Sequence, residues 1–194
     1  MGIFSKLFGK NRDNSEHKNT QNAEQTEETT QEVPQKLNID ISQTPEKFQH
    51  VADELVPFLT TILHELHILE KEIFERSQAL KNPNEPNQVQ PGEMELWTEF
   101  AERRKAITDP VSLKPSDNGS RSFGKPTKYE YIHNPDTTIV FIMKSAKRAV
   151  IEAYYERGVS SKNQFVLRKE EDTWKVDSKK YGFQGETTWY KDEF

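Results

Sequence analysis

The stretch Ala149-Val150-Ile151-Glu152-Ala153-Tyr154-Tyr155-Glu156-Arg157 alternates with a period of two. In an extended strand Ala149, Ile151, Ala153 and Tyr155 share one face, and Val150, Glu152, Tyr154 and Glu156 share the other. One face therefore reads as core and the other as half wet. Its neighbours have the same aromatic and β-branched character: Tyr129-Glu130-Tyr131-Ile132, Thr138-Ile139-Val140-Phe141-Ile142-Met143, Gln164-Phe165-Val166-Leu167-Arg168 and Thr173-Trp174-Lys175-Val176-Asp177. A charged turn, Glu170-Glu171-Asp172, separates the last two, and the series predicts an antiparallel meander.

Upstream the period lengthens. Thr44-Pro45-Glu46 is a helix start, and Phe48, Val51, Leu55, Leu59, Ile62, Leu66, Leu69 and Ile73 follow in steps of three and four. Pro57 sits inside this stripe and predicts a kink there, or two helices meeting near Val56 and Pro57, because proline removes one hydrogen bond and crowds the carbonyl four residues back. A second helix is expected from about Glu93 to Thr108, stopped by Asp109-Pro110. Helices first and a sheet with one apolar face afterwards is an α+β plan, with the helices covering one side of a curved antiparallel sheet.

The chain has 194 residues and a formal net charge of -5. From Arg12 to Gln31 the only hydrophobic residue is Ala23, so residues 1–36 read as a disordered tail and residues 37–194 as one domain. The tail starts with Ile3, Phe4, Leu7 and Phe8, a short amphipathic pattern that could act as a weak membrane anchor. No apolar run is long enough for a membrane-spanning helix. The body is mildly acidic, which argues against sequence-independent nucleic-acid binding. There is no cysteine, which removes thiolate metal sites, disulfides and cysteine nucleophiles.

No phosphate-binding loop, nucleophile elbow or dinucleotide fingerprint occurs. His64, His67 and Glu70 could share one edge of the long helix, but they lack the four-residue histidine spacing of zinc proteases and read as a solvated flank. Asp136, Asp177, Tyr154 and Tyr181 could supply acid–base chemistry only if a pocket gathered them. No catalytic residue, metal or cofactor is assigned. The aromatics Tyr129, Tyr131, Tyr154, Tyr155, Trp174, Trp189 and Tyr190 cannot all be core, and exposed Tyr and Trp among charges are typical anchors of protein-binding surfaces.

The run Thr138–Ser145, then Arg148–Tyr154, Phe165–Lys169, Trp174–Asp177 and Lys180-Tyr181-Gly182 resembles the NTF2-fold immunity proteins of bacterial polymorphic toxin systems. The resemblance implies an NTF2-like cone, with helices packed on a strongly curved antiparallel sheet. It also implies a non-catalytic cytoplasmic protein that binds and neutralises a cognate toxin by occlusion. The partner-binding residues expected from the wet face and sheet-edge turns are Glu152, Tyr154, Glu156, Glu170, Glu171, Asp172 and Trp174. Their acids would complement a basic toxin. An NTF2-like small-ligand-binding protein, or a small isomerase or dehydratase, is the alternative.

Overall fold

A computed structural model describes residues 37–85, 87–115 and 124–194. The expected tail, its amphipathic start and the turn at Ser116–Ser120 lie outside the described residues. The element order is β1 (Asn38–Asp40), α1 (Glu46–Gln49), α2 (Ala52–Leu80), α3 (Glu93–Thr108), β2 (Thr138–Ser145), β3 (Arg148–Arg157), β4 (Val159–Glu170), β5 (Thr173–Phe183) and β6 (Tyr190–Asp192). The fold is α+β: helices pack against a six-stranded sheet whose strands run in sequence order. The sheet is mixed rather than purely antiparallel, because β1 pairs in parallel with β2, Asn38 opposite Thr138.

The apolar stripe of α2 is buried as its spacing requires, at Leu55, Leu59, Ile62, Leu66, Leu69 and Ile73. It packs on the inner sheet face, where Ile139, Phe141, Met143, Ala149, Ile151, Ala153, Phe165, Leu167 and Val176 converge. Further along, Leu69 and Ile73 meet Leu96 and Phe100 of α3. An exposed quartet also ties the two helices: Arg76 and Arg103 each bridge Glu72 and Glu99 at 2.6–3.1 Å. No described helix is long and apolar enough to cross a membrane.

Two local expectations are corrected. The helical break lies at His50 and Val51 rather than at Pro57, where the amides of Val51, Asp53 and Glu54 bond three residues back. The helix passes through Pro57 because Pro57 and Asp53 are both exposed, so water can reach the carbonyl that proline leaves unpaired. The second correction concerns Tyr129–Ile132, which is not a strand. Glu130–His133 is a 3-10 turn, tightened by the Asx contact of Asp136 N to Asn134 Oδ1 and by Thr137 Oγ1 donating to the Tyr131 carbonyl at 2.6 Å. Tyr129, Tyr131 and Ile132 are all buried.

Beyond Asp40, the Thr44 side chain takes over the edge of β2. Its hydroxyl donates to the Phe141 carbonyl at 2.8 Å and accepts from the Met143 amide at 3.0 Å. Two buried backbone groups are thereby satisfied without another strand residue.

Candidate functional site

The outer face of the sheet, opposite the helices, carries Val140, Ile142, Val150 and Val166 as a contiguous apolar cluster, with Tyr154 packed against it. Among the described residues no helix residue belongs to this cluster, whose four aliphatic members are nonetheless buried, at 5–7% exposure. Cross-strand register explains its continuity: Ile142 lies opposite Val150, and Val150 opposite Val166. Beside it, the Tyr154 hydroxyl donates to Glu152 Oε2 at 2.6 Å, and Gln164 Nε2 donates to Glu152 Oε1 at 2.8 Å. Burial, and then the adjacent Glu152 carboxylate, push the Tyr154 phenol well above its ordinary range. Tyr154 therefore stays a neutral donor, fixed in one orientation.

The other expected contact residues do not join this patch. Glu156 sits at the far end of β3 and accepts from Ser160. Glu170, Glu171 and Asp172 cluster at the β4–β5 turn, where Glu171 adopts φ 52° and Asp172 lies 3.8 Å from Lys169. Ser160 and Glu170 are both on β4, so the two acidic ends are about 30 Å apart at the rise of an extended strand. Trp174 is only 8% exposed and belongs to the main core, so it is not available as a surface anchor. Of the seven residues, Glu152 and Tyr154 are the pair in contact.

A second locus, not foreseen in the sequence, lies on the inner face. Lys179 is buried, its Nζ 2.5 Å from Asp192 Oδ2 and held over the rings of Tyr129 at 5.0 Å and Phe165 at 5.9 Å. Burial, reinforced by the charge of Lys128, lowers the Lys179 ammonium to about 7 in spite of Asp192. Burial works to raise Asp192 too, but the charge of Lys179 and its hydrogen bond outweigh it and hold the carboxyl below its ordinary value. Glu70 is raised by burial against the pull of Lys128, Lys179 and Arg104. The Oε2 of Glu70 is buried without a hydrogen-bond partner. A cleft of about 310 Å³ runs alongside, lined by Lys179, Asp192, Ser112, Ser178 and Phe194 among others.

Sequence alternation misplaces Lys179 for a definite reason. Leu167 pairs with Val176, but Val166 pairs with Ser178, so Asp177 is one residue extra on β5. That bulge inverts the facing of everything after it and turns Lys179 inward, opposite Phe165. The freed Asp177 reaches Arg168 at 3.1 Å on the outer face.

The acid–base group considered from sequence is not gathered. Asp136 is an exposed turn residue, Asp177 and Tyr154 lie on the outer face, and Tyr181 stacks on Tyr190 with centroids 5.3 Å apart. His64 Nδ1 lies 3.2 Å from His133 Nε2, and His67 is 5.1 Å centroid to centroid from His133. No cluster of three metal-ligating side chains with suitable geometry occurs among the described residues. Comparison with protein-family models, curated proteins and solved structures finds no match to this chain.

Proposed function

We propose that residues 37–194 adopt an NTF2-like cone and that the chain is a non-catalytic immunity protein, acting in the cytoplasm by occluding a cognate bacterial toxin. The observation that supports this reading is the outer sheet face, where the part-exposed Tyr154 is locked by Glu152 against the buried cluster of Val140, Ile142, Val150 and Val166. A part-exposed aromatic held in one orientation by charged and amide neighbours is the kind of side chain that anchors protein interfaces. Glu152 and Tyr154 are the central contacts, with Glu156, Glu170, Glu171 and Asp172 at the two margins.

The test is co-expression with the product of the neighbouring gene. A stable complex of nanomolar strength, with rescue of growth that is lost in a Tyr154→Asp variant, is the expected result. Rescue without any physical complex overturns the reading.

A second reading, a small-ligand-binding protein or isomerase-type enzyme on the same scaffold, draws on one observation. Lys179 is buried and its partner Asp192 part-buried, and both line the cleft. Ligand-dependent fluorescence of the buried tyrosines, abolished by Lys179→Met, would favour it.

A further inference from the structure

We infer that His64, His67 and His133 form a proton-operated latch, which holds the Glu130–His133 turn against α2 and lets it go on acidification. It is independent of the immunity reading.

His64 and His67 lie one helical turn apart on α2, while His133 arrives from a turn 69 positions beyond His64. The Nε2 of His133 is 3.2 Å from the Nδ1 of His64, with ring centroids 5.0 Å apart, and the His133 ring sits 5.1 Å from that of His67. Two ring nitrogens so close share one hydrogen, so at least one of them must be unprotonated. When both carry a proton, two N–H groups and two positive charges face each other and the bond is lost. His67 adds to the cost. Its Nδ1 is buried with no hydrogen-bond partner, so a proton there has no acceptor.

The charges around the trio compensate little. Lys71 of α2 opposes a proton on His67, and Glu130 of the turn favours one. Glu65 and Arg103 line the cleft beside His64, but Arg103 belongs to the neutral quartet with Arg76, Glu72 and Glu99. Beside His133 stand Glu130, Glu156 and Arg157; Glu156 accepts from Ser160, and Arg157 donates to the Thr127 carbonyl at 2.8 Å. Glu70, further along α2, answers to Lys128, Lys179 and Arg104 instead. Outside the quartet, Glu65, Glu130 and Glu156 are set against Lys71 and Arg157. One added proton is accommodated there, and a second is not.

A pivot is built in as well. Tyr131 stacks on Tyr155 with centroids 4.3 Å apart, and its carbonyl accepts from Thr137. Release therefore swings the His133 end of the turn away from α2 while Tyr131 stays seated. His133 also lines a cleft of about 460 Å³ with Glu156 and Arg157, so the charge and shape of that cleft follow pH.

The test follows the imidazole resonances and the amide exchange of the full chain by NMR between pH 8 and 5. His64 and His133 take up their protons in two steps, the second at least about one pH unit below the first. From pH 7 to 5 the protection factors of Ile132 and Asn134, whose amides bond the Tyr129 and Tyr131 carbonyls, fall at least about 10-fold more than that of Ile151 in β3. His133→Phe keeps an aromatic ring in place and abolishes that extra loss. His64→Gln, which suits a helix, does the same and decides the matter where the first variant does not fold. Titration of both rings in a single step near the ordinary value of about 6.5 overturns the inference. An equal loss of protection at the turn and at Ile151 also overturns it, because that is global unfolding, as does an extra loss that persists in either folded variant.

Discussion

Replacing Lys179 by Met tests the inner polar cluster through its linkage to pH. The ammonium of Lys179 titrates near 7 in the folded chain against 10.5 for the ordinary side chain, with burial the principal cause. Between those values the unfolded chain holds a proton that the folded chain has released, so stability rises with pH across the window. The contribution is complete above 10.5 and is lost as pH falls toward 7. One proton corresponds to about 1.4 kcal/mol per pH unit, which sets a ceiling of roughly 3 kcal/mol between pH 7 and 9.5.

The buried tyrosines Tyr129, Tyr131 and Tyr155 are all raised above 10, and His67 lies below 6.5, so both act outside this window. Urea unfolding followed by the fluorescence of the buried Trp174 reads the effect directly. At an m-value of about 2 kcal/mol per molar, the wild-type midpoint moves up by as much as 1.5 M from pH 7 to 9.5. In Lys179→Met the midpoint stays level, and the variant is the more stable of the two at pH 6, because Met needs no hydration while Asp192 keeps Lys128 at 3.9 Å. Lys179→Gln provides a second variant of similar length. Parallel curves for wild type and both variants would refute the reasoning.

Other substitutions probe different joints. Thr44→Val removes the hydroxyl that satisfies the Phe141 carbonyl and the Met143 amide; a loss of about 2–4 kcal/mol and faster hydrogen exchange at Met143 are expected. Gly182→Ala would put a Cβ 2.8 Å from both the Lys162 Cε and the Thr188 carbonyl oxygen. The lysine can move but the backbone oxygen cannot move cheaply, so thermal unfolding should show a loss of about 1–3 kcal/mol. His67 is held below 6.5 by burial first and by His133 second. Stability should therefore fall as pH drops below 6.5, and His67→Gln should flatten that acid limb in a series of urea midpoints.

The legible parts of the fold are those where a local period maps onto a burial pattern. Leu55 through Ile73 on α2, and Ala149, Ile151 and Ala153 on β3, face inward as their spacing requires. Pro57 misled because its cost depends on whether the unpaired carbonyl reaches water, which spacing does not record. Tyr129-Glu130-Tyr131-Ile132 alternates like a strand, yet Asn134 and Thr137 wind it into a 3-10 turn through contacts several residues away. β1 has three residues and pairs with a strand one hundred positions later, so nothing local marks it.

The candidate site was legible only in part, for the same reason. Glu152 and Tyr154 sit where alternation puts them, on the outer face and in contact. Trp174 went into the core because Lys169 is its cross-strand partner and the inner face of the sheet extends that far. Arg148, Arg168 and Lys175 are separated by 20 and 7 positions, and pairing register alone aligns them across three strands.

What the sequence by itself determined is the class of fold, the helical stripe and the two-faced strands, because periods of 3.6 and 2 are properties of the local chain. The tertiary structure decided which charges become neighbours and which lysine is buried. A single extra residue, Asp177, reverses the facing of β5, and that bulge exists only where β5 lies against β4. The electrostatic character of both faces is thus a property of strand pairing.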